Sequence, residues 1–158
     1  MTGNTPLHLA LYQPEIPQNT GAAMRLTACM GIPLDIIEPT TFVWDEAKIR
    51  RSAMDYIDHV RLIRHTGWDA FRAAYAGRRI ILLTTKSDQS YLDFTFQRGD
   101  ILLAGQESAG VPQDVHDACD ARLTIPMAGG LRSMNVVNAC SMVIGEALRQ
   151  VNKPNKQN

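Results

Sequence analysis

Short apolar runs alternate along the chain with segments whose apolar residues recur at helical spacing. The runs, which predict buried strands, lie at residues 7–12, 34–37, 59–63, 80–83, 101–104 and 122–125. The segments of helical spacing predict helices at residues 21–30, 46–54, 68–75, 112–119 and 135–151. This alternation favours an α/β fold with a mostly parallel sheet and helices on both of its faces.

Two of the predicted strands end in loops rich in glycine and polar residues. The sequence GQESAG at residues 105–110 follows one strand, and PMAGGLRSMN at residues 126–135 leads from the next strand into the last helix. Open α/β sheets bind ligands at such strand ends. Gly105 and Gly110 would let a ligand approach the backbone, and Glu107 adds a carboxylate beside the opening. We expect both loops to face one pocket.

Two familiar phosphate-binding motifs do not fit these loops. Gly105 and Gly110 have the glycine spacing of a P-loop, but Val111 and Pro112 stand where that motif requires Lys and Ser or Thr. A GxGxxG sequence that opens a helix after a strand is also missing from the chain. ATP hydrolysis and ordinary dinucleotide binding are therefore poor hypotheses.

Length and composition indicate one globular domain. The 158 residues are 45% hydrophobic, which is enough for a core, and we expect a single domain over residues 1–158 with its core at 7–151 and a frayed tail at 152–158. The formal net charge is zero. Strong nonspecific binding of polyanions is disfavoured by this balance, so a nucleic acid would have to meet a local basic patch or a surface built from two subunits.

The cysteines favour a reducing compartment. Cys29, Cys119 and Cys140 are far apart and lack the spacing of metal ligands, so we expect no metal site. Cys29 and Cys140 fall in apolar helical patterns and are predicted to be buried free thiols. The first residues do not resemble a secretory signal, and no apolar run is long enough to span a bilayer. We expect a cytoplasmic protein without membrane contact.

Three ordered motifs resemble those of the SPOUT methyltransferases. They are Asn19-Thr20-Gly21 followed by Arg25, then GQESAG, then IPM with RSMNVVNA at the start of the last helix. The similarity extends over residues 7–150 and is greatest to the compact bacterial subgroup that methylates the 2′-hydroxyl of the tRNA wobble nucleotide. The resemblance implies an α/β fold with a deep C-terminal trefoil knot, which no strand pattern could predict.

The resemblance also implies a pocket for S-adenosylmethionine. By similarity, its residues are Leu83, Gly105, Ile125, Met127 and Ser133. Backbone groups at Gly105, Ile125 and Met127 would bind the adenine edge, while Leu83, Leu131 and Ile125 would cover its faces. Without the motifs, Leu83 and Ile125 would be interpreted as ordinary core residues.

The catalytic residues implied by the resemblance are Arg25, Asn19, Glu107 and Asn135. Arg25 stays protonated, so stabilising a developing alkoxide or positioning a phosphate suits it better than removing a proton. Arg25 alone would be interpreted as a surface arginine, and Ser133 and Asn135 could equally be helix caps. Some close relatives carry a tyrosine in the last helix, where this chain reads VIGE at residues 143–146, so that contribution is absent.

The expected partners are tRNA, bound through its anticodon stem-loop, and a second copy of the chain. Candidate phosphate contacts, for which plain solvated surface is the alternative, are Lys48, Arg50, Arg51, Arg61, Arg64, Arg78 and Arg79. The apolar face of the last helix is broader than a small core needs, which is consistent with the homodimer of the family.

These patterns together predict a cytoplasmic, homodimeric tRNA 2′-O-methyltransferase that uses S-adenosylmethionine. Its expected target is nucleotide 34, a cytidine or modified uridine. The alternatives are methylation of another tRNA or rRNA ribose, and a noncatalytic RNA-binding or assembly factor of the same fold.

Overall fold

Six parallel strands form the centre of the computed structural model, which describes residues 5–131 and 133–152. The strands are β1 (Leu7–Tyr12), β2 (Leu34–Ile37), β3 (Leu62–His65), β4 (Ile80–Leu83), β5 (Asp100–Ala104) and β6 (Ala121–Leu123). Their order in the sheet is β3-β2-β1-β5-β4-β6, and every adjacent pair is parallel. The predicted α/β sheet is confirmed.

Helices cover both faces of this sheet. They are α1 (Pro17–Met30), α2 (Glu46–Ala53), α3 (Trp68–Ala74), α4 (Gln113–Ala118) and α5 (Val136–Val151). One buried cluster joins the sheet to α1, α2 and α5, for example through Met24, Ile49 and Val143. The other joins it to the α3 and α4 segments through Phe71 and Val115. The strands read as unbroken apolar runs because both faces are covered.

Several boundaries differ from the predicted ones. A 3₁₀ helix at Met54–His59 takes up the chain before β3, so that strand begins at Leu62 rather than at residue 59. β6 ends at Leu123, and Thr124 makes only an isolated bridge to Ser90. α1 begins at Pro17, four residues before the predicted start, because proline suits the first turn of a helix.

The predicted burial of Cys29 is wrong. The buried stripe of α1 consists of Thr20, Ala23, Met24 and Thr27, so polar threonines occupy positions that the apolar pattern did not assign to the core. Thr27 donates from its hydroxyl to the Ala23 carbonyl at 2.9 Å, which satisfies it inside the protein. α1 therefore turns a different face to the core than the apolar pattern predicts, and Cys29 is exposed. Cys140 is buried as predicted.

A buried polar cluster joins three strands at the β1–β3 side of the sheet. Asp35 of β2 is fully buried and accepts from Tyr75 at 2.5 Å. Its carboxylate oxygens also lie 2.8 Å from Nδ1 of His8 and 2.7 Å from Nε2 of His65. Burial, followed by the bond to Asp35, raises the pKa of Tyr75. The cluster fixes β1, β2 and β3 to the end of α3.

The knot, the tail and the membrane contact expected from the sequence concern the chain as a whole. The strand order does not determine how the chain threads through itself, so the trefoil knot stays a prediction. The predicted frayed tail lies outside the described residues, except for Asn152. Within the described ranges, every helix is too short or too polar to cross a bilayer.

Candidate active site

A cleft of about 660 Å³ opens at the carboxyl ends of β4, β5 and β6. Its lining contains the five residues that the resemblance assigned to the methyl-donor pocket, which are Leu83, Gly105, Ile125, Met127 and Ser133. It also contains the predicted catalytic residues Asn19, Glu107 and Asn135. Segments more than a hundred residues apart in the chain therefore meet at one edge of the sheet, as strand ends in parallel sheets allow.

Gly105 and Gly110 shape the first loop of this cleft. Gly110 accepts from the N–H of Gln106 at 2.9 Å and donates to its carbonyl at 2.8 Å. A Cβ atom placed on Gly105 would lie 2.6 Å from the carbonyl carbon of Gly110. Glycine is thus required at position 105 because the loop folds back on it, and the approach of a ligand there stays a prediction. Gly110 adopts φ +64°, which favours glycine at that position too.

A chain of side-chain hydrogen bonds connects the three motifs. The amide nitrogen of Asn135 donates to the side-chain oxygen of Asn19 at 3.2 Å, and the amide nitrogen of Asn19 donates to Glu107 Oε1 at 3.1 Å. We call these three residues the amide–carboxylate bridge. Its chemistry combines donors and a carboxylate, which suits the orientation of a hydroxyl group.

Asn135 also caps α5. Its side-chain oxygen accepts from the backbone N–H of Val137 at 2.9 Å and of Asn138 at 3.2 Å. The predicted helix cap is therefore confirmed, and the other end of the same amide joins the bridge. The catalytic role of Asn135 stays a prediction. Ser133 lies in the cleft lining, before the cap.

A second tie, which the sequence did not reveal, holds the first loop against the start of α1. The carboxylate of Glu15 accepts from the Ser108 hydroxyl at 2.7 Å and from its N–H at 3.1 Å. These bonds lower the pKa of Glu15. Gln106 also donates to the carbonyl of Gln13 at 3.0 Å. No local pattern marks Glu15, which follows Pro14, as the partner of a distant serine.

Arg25 does not line the cleft. It is separated from Asn19 by about one and two-thirds turns of α1, so the two side chains leave the helix in different directions. Arg25 is exposed, and its guanidinium carbon lies 5.0 Å from the centre of the Tyr56 ring. The expected convergence of Arg25 with Glu107 and Ser133 is thus not seen within one chain, and its catalytic role stays a prediction.

Leu131 was expected against the adenine faces but is 70% exposed and lies outside the cleft lining.

The cleft also contains His116 of α4, which the sequence did not mark as a site residue. A histidine between Val115 and Asp117 in a short helix carries no recognisable signal. Among residues 5–131 and 133–152, no group of His, Cys, Asp or Glu is arranged to hold a metal ion.

Three of the candidate phosphate contacts lie near the amino-terminal ends of the strands. Arg61, Arg78 and Arg79 precede β3 and β4, so they lie at the edge opposite the cleft. Arg78 donates to the Gly99 carbonyl at 2.7 Å, and Arg79 pairs with Asp100 at 2.6 Å. Arg78 and Arg79 thereby stabilise the start of β5, and phosphate contact by any of the three arginines stays a prediction.

The remaining candidates lie elsewhere. Arg64 pairs with Glu38 after β2 and stacks on Trp44. Lys48, Arg50 and Arg51 are exposed on α2, which packs against α1. α2 therefore presents basic residues on a helix that contacts α1, the helix of Arg25.

Comparisons with known proteins agree with this geometry. A curated tRNA (cytidine(34)-2′-O)-methyltransferase from Beijerinckia indica is 55% identical over 90% of this chain and 91% of its own length. A solved structure described as giving insight into the 2-OH methylation of C/U34 on tRNA superposes with a TM-score of 0.87 at 40% identity, covering 94% of this chain and 97% of that chain.

A further solved structure has the methyl donor bound. The SpoU methyltransferase AviRb from Streptomyces viridochromogenes, in complex with AdoMet, superposes with a TM-score of 0.79 at 28% identity, covering 94% of this chain and 61% of that one. The sequence profile of the SpoU rRNA methylase family matches residues 6–145. The chain belongs to the SpoU rRNA methylase family.

Proposed function

We propose that this chain transfers a methyl group from S-adenosylmethionine to the 2′-hydroxyl of nucleotide 34 in tRNA. The observation that carries the proposal is the meeting of the donor-pocket residues and the amide–carboxylate bridge in one cleft. The curated relative from Beijerinckia indica carries the same activity in its name, and the match covers 90% of this chain and 91% of the relative.

The cleft fits a nucleoside-sized ligand. Its volume falls within the range of about 300–1,000 Å³ that is usual for small-molecule sites. Leu83, Ile125 and Met127 provide apolar surface, while the loop at residues 105–110 provides backbone polar groups. When bound, the donor supplies a methyl group activated by its positively charged sulfur.

The bridge would position the acceptor ribose. Asn19 and Asn135 hold each other, and Asn19 holds one oxygen of Glu107, so the carboxylate is fixed at the rim of the cleft. A fixed carboxylate and amide can orient the 2′-hydroxyl and accept a hydrogen bond from it. Arg25 would stabilise negative charge on RNA that lies across α1 and α2.

We also propose a cytoplasmic homodimer. Most of the apolar face of α5 is buried within one chain, so the excess inferred from the sequence is smaller than expected. Apolar side chains that remain about 40% exposed on or beside α1 and α5 are Ile16, Met30, Met134 and Met142. These would pack against a second copy, and light scattering across a concentration series tests this. The thiols of Cys29, Cys119 and Cys140 are free, which suits a reducing compartment.

Methyl transfer to defined tRNA tests the proposed function. Purified protein, labelled donor and unmodified tRNA transcripts would be combined, and the product mapped by mass spectrometry after nuclease digestion. We expect the added mass at nucleotide 34 only. A label on another ribose would assign the enzyme to that target, and binding of RNA without donor binding would favour the noncatalytic alternative.

Arg25→Ala would separate donor binding from transfer. Because Arg25 lies outside the cleft, we expect calorimetric affinity for the donor to be unchanged and the transfer rate to fall by about a hundredfold. Arg72→Ala, at an exposed position on α3, is the matched control and should transfer at the normal rate. Full activity of the Arg25 variant would remove Arg25 from the mechanism.

A further inference from the structure

Tyr56 contacts the guanidinium group of Arg25 outside the cleft. The guanidinium carbon lies 5.0 Å from the centre of the tyrosine ring, within the distance of about 6 Å at which a ring attracts a cation. Tyr56 is half-buried and Arg25 is exposed, whereas the other tyrosines, Tyr12, Tyr75 and Tyr91, are buried. The Tyr56 ring therefore reaches from the body of the protein to a cation on its surface.

The segment that carries Tyr56 is held on both sides. It is the 3₁₀ helix at Met54–His59, which follows α2 and contacts α1. Before this segment, α2 is anchored in the core by Ile49, which is 1% exposed. After it, Arg61 donates to the carbonyl of Gly31, at the carboxyl end of α1, at 2.6 Å. The ring is thereby presented to α1 from a fixed support.

A ring can hold a cation without cancelling its charge. The negative face of an aromatic ring attracts a guanidinium group, but the ring carries no net charge, so this contact leaves the positive charge of Arg25 in place. An arginine side chain also loses rotamer freedom when it is fixed against a ligand. Where a ring already restricts the side chain, part of that loss is incurred on folding, and less remains to oppose the reaction.

We propose that Tyr56 is a positioning residue, which holds Arg25 where the guanidinium stabilises negative charge on the RNA during methyl transfer. This inference rests on the proposed function, because it requires transfer to RNA with the participation of Arg25. Tyr56 lies outside the three sequence motifs. Its effect on the reaction passes through Arg25 alone, which distinguishes it from a residue that contacts the RNA or only stabilises the fold.

Rate measurements with and without Arg25 test the proposal. Tyr56→Leu removes the ring, and we expect kcat to fall about tenfold while KM for tRNA and calorimetric affinity for the donor change by less than about twofold. Tyr56→Phe keeps the ring and should recover most of the rate. In the Arg25→Ala background, adding Tyr56→Leu should cause no further loss. If Tyr56→Leu lowers kcat by the same factor in both backgrounds, the inference is overturned.

Phe94→Leu is the matched control. Phe94 is also half-buried, and the centre of its ring lies 5.1 Å from the guanidinium carbon of Arg79, outside the cleft lining. Its removal should leave kcat within about twofold of the wild-type value. An equal loss in Phe94→Leu and Tyr56→Leu would show that the rate responds to the loss of a half-buried ring as such, and would overturn the inference.

The outcomes separate this inference from the proposed function. If wild-type protein does not methylate tRNA, the proposed function fails and the inference fails with it. If wild-type protein methylates nucleotide 34 and Arg25→Ala keeps the full rate, the proposed function stands and the inference alone is overturned.

A measurement on wild-type protein covers the case in which Tyr56→Leu does not fold. NMR relaxation of the arginine Nε nuclei reports how far each guanidinium is restricted on the picosecond-to-nanosecond timescale. We expect Nε of Arg25, assigned by its absence from the Arg25→Ala spectrum, to be more restricted than Nε of Arg72, an exposed arginine on α3. Equal mobility of the two would overturn the inference, because the ring would then not hold the guanidinium.

Discussion

The two halves of the sheet use similar polar residues in opposite ways. At the β1–β3 side, Asp35 is fully buried, and its two oxygens meet His8, His65 and Tyr75. At the β4–β6 side, Glu107 is exposed and only Oε1 meets a bridge residue, Asn19. A saturated buried carboxylate holds strands together, whereas an exposed and partly engaged carboxylate can still bind another molecule.

Burial decides this difference more than residue type does. A carboxylate removed from water must be compensated by several hydrogen bonds, and the groups that supply them become fixed. A carboxylate at a cleft rim keeps its contact with water and can exchange it for a ligand. The comparison predicts that substitutions at the buried cluster change stability, while substitutions at the cleft change binding or turnover.

Asp35→Ala should have the largest effect. It leaves the buried donors of His8, His65 and Tyr75 without their acceptor, so we expect the free energy of unfolding to fall by about 3–5 kcal/mol. Urea denaturation followed by circular dichroism measures this. Tyr75→Phe, which removes one donor and leaves the carboxylate with two partners, should cost about 1–2 kcal/mol. A fully stable Asp35→Ala protein would contradict the structural role of the cluster.

Gly105→Ala should disrupt the cleft next. The added methyl group would meet the backbone of Gly110 at 2.6 Å, so the loop at residues 105–110 must move. We expect a loss of about 1–3 kcal/mol in stability and at least about tenfold weaker donor binding. Gly129→Ala is the matched control, because its Cβ would meet no atom within 4 Å. Equal donor affinity in both variants would show that the loop adapts.

Substitutions at Asn135 can separate its two roles. Asn135→Asp keeps an oxygen for the α5 cap but loses the donor to Asn19, and it places a second carboxylate near Glu107. We expect near-normal stability and a transfer rate lowered by about a hundredfold. Asn135→Ala should lose about 1 kcal/mol of stability as well. Asn19→Ala should match the Asp variant in rate, and normal turnover in Asn19→Ala would remove the bridge from the mechanism.

The sequence predicted the sheet well because both of its faces are covered. Five of the apolar runs coincide with strands or overlap them closely, since buried parallel strands need no alternation. β3 was displaced because a 3₁₀ helix occupies the chain before it, and Met54–His59 carries no pattern that distinguishes it from an extended segment.

The site could be predicted only as far as its motifs reach. Leu83, Gly105 and Ile125 were placed in one cleft because their motifs follow strands that end at the same edge. The Asp35 cluster escaped prediction because its partners lie 27 to 40 residues away in sequence. Arg25 was misplaced relative to the cleft because a motif does not specify the direction in which a helical side chain leaves its helix.

The tie between Glu15 and Ser108 should give the smallest effect, and one that depends on pH. Both side chains are exposed or partly exposed, so Ser108→Ala should weaken donor binding by less than about threefold at pH 7. Because hydrogen bonds from Ser108 lower the pKa of Glu15 below its ordinary value of 4.5, the tie is fully present above that pH. It is lost as the pH falls through the lowered pKa, so wild-type and Ser108→Ala affinities should converge in acid. Glu15→Gln is the control. Its side chain cannot ionise, so its donor affinity should not show the change with pH that is expected for the wild-type protein. A difference between wild type and Ser108→Ala that persists unchanged below the lowered pKa would mean that the serine acts through contacts other than this carboxylate.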